Sequence, residues 1–215
     1  EPLQMLALSP WIYFLLMLAA TFGGGAAILR TIGVLSSLNY VERLALSFGL
    51  GFGILGWLVF FFALGGYIDT IELTTVLLTL ALGVPLLKPA SDGQTVVKRP
   101  DSYRIALGIG IAVIVGFDVL EGLAPPADGD SLAYHFALPK TFLAHGALYP
   151  VFQAVEGAIP LLQQMTYLTA LGTGSEKTLT LWTMATGWGA AAVVYAITRR
   201  FTSINWALAT TLVFL

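Results

Sequence analysis

This sequence predicts an all-α integral membrane protein, with about six transmembrane helices and two amphipathic interfacial helices in one long outer loop. Three observations predict it. Only 10% of the 215 residues are charged and 57% are hydrophobic, with a mean hydropathy of +0.85. A soluble domain carries about 25% charged residues, so this chain cannot cover a water-facing surface. Its apolar residues also gather into runs of the length that crosses about 30 Å of hydrocarbon. Finally, its basic residues fall in alternate connections between those runs.

Five runs qualify as spans: Pro10–Leu29, Leu44–Tyr67, Ile71–Leu87, Ile105–Leu123 and Leu179–Ile197. A sixth begins near Ile204. Strand-like alternation is absent, so helices must satisfy the backbone in lipid. The first connection is flanked by Arg30 and Arg43. The third holds Lys88, Lys98, Arg99 and Arg104, and the fifth Arg199 and Arg200. The second holds only Asp69 and Glu72, and the fourth opens acidic. The positive-inside rule then places the N-terminus and residues 118–178 outside. The expected setting is a bacterial inner membrane.

Other classes are excluded or disfavoured. A net charge of -2 gives no basic footprint for nucleic acid. The absence of cysteine excludes disulfides, thiolate metal sites and cysteine nucleophiles. Two histidines, His135 and His145, do not suffice for an all-protein zinc site. No basic segment followed by a small-residue cleavage site opens the chain. It starts at Glu1 and stops at Leu215 within an apolar run, so it reads as part of a longer polypeptide.

Small residues mark expected helix contacts: Gly49 and Gly53 in a G-x-x-x-G spacing, then Gly187 and Gly189. Glycine is also simply common in membrane helices. The run Gly23-Gly24-Gly25 is expected to loosen the first helix. Trp11, Tyr13, Tyr67, Trp182 and Trp206 read as interfacial belts or helix contacts.

The fourth connection, about 55 residues long, concentrates the polar chemistry in "PPADGDSLAYHFALPK", residues 125–140. A helix is expected after Asp130, whose carboxylate suits an N-cap. Leu132, Phe136, Pro139 and Leu143 would share one face, with Tyr134 one turn beyond Asp130. Pro139 is expected to kink this helix and Gly146 to end it. A second helix is expected after Pro160. Leu161, Met165, Leu168 and Leu171 form its apolar face, and Gln163, Gln164 and Thr169 lie elsewhere. Both helices suit a flat position at the interface. Asp118 and Glu121 lie near the outer end of the fourth span, where charges are often functional or simply at headgroup depth. Glu156 has no evident partner.

A hydrophobic helix, an outer loop opening on an acidic motif, two short helices and another membrane helix together resemble the GT-C membrane glycosyltransferases. The likeness is to the mannosyl- and arabinosyltransferase-like branch and covers about residues 105–200. It divides the chain into a three-helix segment, 1–104, and a GT-C-like unit, 105–215, expected to be truncated at its C-terminus. The resemblance implies sugar transfer from a polyprenyl-phosphate carrier on the outer face. It also implies that Asp130 is the catalytic carboxylate and that Tyr134 is the aromatic residue four positions on, a candidate substrate contact or else an ordinary interfacial aromatic.

Such chemistry needs a base for the acceptor hydroxyl and stabilisation of the departing phosphate. Asp130 reads as base or as plain helix cap. His135 and Lys140 are candidate substrate-phosphate contacts, or an interfacial histidine and a snorkelling lysine. Asp128 and Asp130 are weak candidates for holding a divalent cation, magnesium or manganese. The competing reading is a non-catalytic subunit packed against other membrane subunits, as in a respiratory or photosynthetic assembly. A transporter ranks third, since no paired helix breaks mark an inverted repeat.

Overall fold

The computed structural model describes residues 9–88, 101–124, 129, 135–152 and 162–215. The expectations that rest on Lys98, Arg99, Asp128, Asp130, Leu132, Tyr134, Glu156, Pro160 and Leu161 lie outside these residues.

The described chain is helical and contains no strand. Its helices are α1 (Ser9–Thr31), α2 (Tyr40–Leu64), α3 (Thr70–Ala81), α4 (Ser102–Gly122), α5 (Ala137–His145), α6 (Leu162–Thr173), α7 (Glu176–Phe201) and α8 (Ile204–Phe214). Five helical stretches are long and apolar enough to cross a membrane: Pro10–Thr31, Tyr40–Leu64, Thr70–Leu87, Ser102–Gly122 and Glu176–Phe201. The third is not one regular helix. Gly83 and Pro85 break it after α3, and a 3-10 turn, Val84–Leu87, completes it. Ile204–Phe214 is apolar but shorter.

Local chemistry sets the ends. Asn39 accepts the Glu42 amide at 3.0 Å, and Glu42 returns the bond to the Asn39 amide at 3.2 Å, a reciprocal cap that starts α2. Ser175 and Ser203 cap α7 and α8. Asp101 caps α4 by accepting the Arg104 amide at 2.7 Å. It also accepts the Asn205 amide at 3.1 Å, and Arg104 Nε donates to Asn205 Oδ1 at 3.2 Å, so α4 and α8 start side by side. The Arg104 amide first, then Asn205, hold the Asp101 carboxyl below the usual carboxylate range. With the folded pKa depressed, the unfolded state binds the extra proton on acidification. This contribution is full above the unfolded value of about 4 and is lost as pH falls through the folded one. Melting temperatures taken from about pH 6 down to 3 should fall less steeply in Asp101→Asn than in the wild type. Superimposable profiles would remove Asp101 from the acid response.

The bundle has two ends. At one, Glu42 faces Arg200 at 3.8 Å, Arg43 reaches the Lys88 carbonyl, and Arg104 joins Asn205. This end carries the described arginines and Lys88. At the other, Thr178 donates to the Pro10 carbonyl at 3.3 Å, Leu148 to the Ala63 carbonyl at 2.9 Å, and Thr70 to the Gly172 carbonyl at 2.7 Å.

One hydrophobic cluster runs through α1, α2, α3, α5, α6 and α7, from Phe14 and Met17 to Leu168 and Trp182. It crosses the 104/105 division, so the two halves share a core. Trp182 is fully buried within it, whereas Trp11, Tyr67 and Trp206 face outward. Helix α4 buries only Leu107 and Gly122 and turns Ile109, Val113, Phe117 and Leu120 outward. In water such a surface would be an aggregation hazard; against lipid it is a solvent match.

Several glycines depart from expectation. The Gly23–Gly25 run does not loosen α1, which is continuous. A Cβ at Gly25 would stand 1.8 Å from the Ser47 carbonyl oxygen, and one at Gly23 2.3 Å from that of Leu80. The run is a packing face for α2 and α3. A Cβ added at Gly53 or Gly187 would meet no neighbouring element within 4 Å among the described residues, and one at Gly49 only a valine methyl at 3.9 Å, so the G-x-x-x-G spacing is not the contact there. Gly51 against Thr21 makes that contact, and Gly189 packs on the Phe48 ring as expected.

Candidate functional site

The candidate site lies at the end opposite the arginines, where α5 and α6 enter. Helix α5 buries Leu138, Pro139 and Phe142, with Phe136 just before it. Gly146 closes it at φ 79°, its amide donating to Phe142 O at 2.9 Å. Only glycine adopts that left-handed conformation without strain. Pro139 lies in the first turn of α5, where a missing N–H removes no helical bond; residues 130–134, on which the expected kink also depends, lie outside those described.

Helix α6 differs more. Eight of its twelve residues are buried, among them Gln164 and Thr169, which pattern had put off the apolar face, and also Thr166 and Thr173. A Cβ on Gly56 would stand 2.8 Å from Leu162, and one on Gly172 2.7 Å from Leu73. Gly56 lies eight residues, roughly 12 Å along the axis, before the end of α2. Gly172 meets the start of α3. So α6 climbs from within the bundle to its end rather than lying flat on it. Threonine makes this affordable to the fold by bonding its own helix. Thr169 donates to Met165 O at 3.0 Å, Thr173 to Thr169 O at 2.8 Å, and Thr166 to Gln163 O at 2.8 Å. Thr166 also accepts from Trp182 Nε1 at 3.0 Å, which fixes α6 on α7.

Of the sequence-predicted site residues, Asp128, Asp130 and Tyr134 lie outside the described residues, and His135 and Lys140 lie within them. His135 is half-buried, its ring edge-on to Tyr167 with centroids 6.3 Å apart. Phe136 meets Tyr167 in the same way at 6.3 Å. Gln163 donates to the Tyr167 hydroxyl from one turn below. Burial pushes the Tyr167 phenol above its ordinary range, with the hydrogen bonds to Thr183 and Gln163 opposing. It therefore stays a neutral hydroxyl at physiological pH.

Lys140 Nζ pairs with Glu176 Oε1 at 2.5 Å, both side chains about half exposed. Glu176 opens α7, where a negative charge is also favoured by the helix dipole. The pair thus ties α5 to the start of α7. Lys140 lies in the first turn of α5 and His135 just before it. Asp118 is an interhelix acceptor: Trp188 Nε1 donates to it at 2.8 Å, joining α7 to α4. Glu121 is exposed. Thr180 donates to the Gly122 carbonyl nearby.

Pattern reading missed Tyr167, Gln163, Gln164 and Glu176. The available signal was "QQMTYLTALGTGSEK", an uncommonly polar run for so apolar a chain. Gln164 stands out: it is 1% exposed, and neither end of its carboxamide has a hydrogen-bond partner among the described residues. Buried polar groups without partners are rare enough to require a reason. Among the described residues, no three acidic or histidine side chains gather to hold a metal ion. The weak cation candidates, Asp128 and Asp130, lie outside them.

Compared with family models, curated proteins and solved structures, the chain matches none.

Proposed function

We propose that this chain is a membrane glycosyltransferase of the GT-C type, taking a sugar from a polyprenyl-phosphate carrier. It crosses a bacterial plasma membrane about six times, with α8 beginning the sixth crossing. Its N-terminus and residues 118–178 face the outer side. Asp130 draws the proton from the acceptor hydroxyl, and Lys140 and His135 meet the carrier phosphate. The observation that carries this reading is the run Asp130-Ser-Leu-Ala-Tyr134-His135, leading into Lys140, in the sequence connecting two membrane helices.

Three features support it. The Lys140–Glu176 pair is about half exposed, and such pairs contribute only about 0–1 kcal/mol. Lys140 can therefore exchange a carboxylate for a phosphate at little cost. Tyr167, neutral and held by Gln163, lies against His135 and keeps that ring in place. Gln164, buried beside this site, keeps a donor and an acceptor that the described chain does not use.

The test is transfer of labelled sugar from polyprenyl-phosphate donors by the chain reconstituted in proteoliposomes. Transfer dependent on the intact donor is expected. Absence of transfer from every such donor, with stable co-purification of other membrane subunits, would sink the enzymatic reading in favour of a scaffold. Gln164→Leu sharpens the test. It removes two unbonded polar atoms, so the protein should melt higher, by about 1 kcal/mol of stability. Transfer should fall in the same variant. Stability and activity moving down together would make Gln164 a packing residue only.

A further inference from the structure

At the arginine-bearing end, away from the candidate site, a cavity of about 480 Å³ opens between the last turn of α1, the start of α2 and the Val84–Leu87 turn. Arg30, Leu35, Ser36, Arg43, Pro85 and Leu86 form its walls. The volume lies in the range of about 300–1,000 Å³ that small-molecule sites occupy. The side chain to explain is Arg43, only 9% exposed. Its Nε donates to Leu38 O at 2.9 Å and its Nη1 to Lys88 O at 3.4 Å. Both acceptors are neutral, and a guanidinium carries five donors.

Among the described residues, no carboxylate lies within ion-pair distance of Arg43 or Arg30. Glu42, the neighbour in sequence, is committed elsewhere. Its Oε2 accepts the Asn39 amide and its Oε1 faces Arg200. Buried charges are ordinarily paired, because an unpaired one forfeits its hydration without return. Here a buried guanidinium and a second arginine face one cavity, with the Ser36 hydroxyl beside them and apolar walls at Leu35, Pro85 and Leu86. That combination matches a phosphate joined to an apolar body: charge and fork geometry for the oxygens, apolar contact for what the phosphate carries.

We propose that this cavity binds the phosphate group of an anionic phospholipid, with Arg43 and Arg30 as its ligands. The same chemistry would accept a phosphorylated solute, and the experiment separates the two sources. The chain is purified in neutral detergent, loaded with phosphatidylglycerol or with phosphatidylcholine, and examined by native mass spectrometry. Its melting temperature is followed in parallel with inorganic phosphate or glycerol 3-phosphate and no added lipid.

Preferential retention of phosphatidylglycerol is expected. It should weaken about tenfold in Arg43→Gln and also in Arg30→Gln, the value of one charge-assisted contact. Arg30 is exposed, so its variant reports binding even if Arg43→Gln fails to fold. Arg199→Gln, at the same end but outside the cavity, should retain the lipid as the wild type does. Stabilisation by the soluble phosphates, lost in Arg30→Gln, without lipid retention would assign the site to a phosphorylated solute and uphold the phosphate chemistry. Equal loss in Arg199→Gln would reduce the effect to diffuse surface charge, and no response to any probe would mean that the chain itself neutralises Arg43. Either result overturns the proposal.

Discussion

Asp130→Asn is expected to lower sugar transfer by about two to four orders of magnitude, the usual contribution of a positioned general base, while the melting temperature stays near that of the wild type. The choice of asparagine makes the test informative. Asparagine and aspartate are about equally good helix N-caps. The substitution therefore keeps whatever capping residue 130 provides and removes only the carboxylate's basicity. Asp130→Ala removes both, so it should lose activity and also about 1 kcal/mol of stability. The two proposed roles of Asp130 are thereby separated by one pair of variants. Wild-type transfer in Asp130→Asn, with a lowered melting point in Asp130→Ala, would leave the residue as a cap and take it out of the chemistry. If Asp128 and Asp130 together hold a divalent cation, transfer by the wild type should also fall on chelation and return with magnesium or manganese.

The membrane helices were legible because length and apolarity alone decide them: lipid requires about 20 residues of internally bonded backbone. The five long stretches follow the predicted spans to within a few residues at most ends. The largest shifts are four residues, at Tyr40, where the Asn39–Glu42 cap starts α2 early, and at Phe201, where α7 runs on past Ile197. Faces were much less legible. In α6, Thr166, Thr169 and Thr173 bond their own helix and become burial-compatible, so a polar letter there did not mean a polar face. Amphipathic reasoning assumes water on one side, and α6 has protein on most sides. The ion pair between Lys140 and Glu176 joins residues 36 apart, a distance over which no helical period operates. Trp188 with Asp118, 70 apart, is another case. The carboxylates Asp128 and Asp130 were singled out by motif alone, and their part in the site rests on the transfer assay.

Gly51→Val should have the largest effect on folding, at about 3 kcal/mol or more, since no rotamer change can relieve a clash with backbone. A Cβ at Gly51 would lie 1.7 Å from the Thr21 carbonyl oxygen, and one at Gly25 1.8 Å from that of Ser47. The contact is reciprocal: each helix sets a glycine against the other's carbonyl. An α-hydrogen takes the place of each missing Cβ and points at that oxygen, a weak but repeated attraction between close helices. To admit a side chain, α1 and α2 would have to separate along their length. That would also disturb the place where Gly56 receives Leu162 at the start of α6, and so carry the damage from the crossing to the candidate site. Gly53→Ala is the matched control. A Cβ there would meet no neighbouring element within 4 Å among the described residues, and a helix gains up to about 1 kcal/mol when alanine replaces an interior glycine. The pair can be followed by tryptophan fluorescence during denaturation, since Trp182, one of five tryptophans, is fully buried against Phe48 and Phe52. Gly51→Val should unfold far earlier than the wild type, and Gly53→Ala at the same point or slightly later. If both variants unfolded together with the wild type, α1 and α2 could not be as close as the carbonyl contacts require, and the account of α6 as a helix seated on α2 would have to be rebuilt.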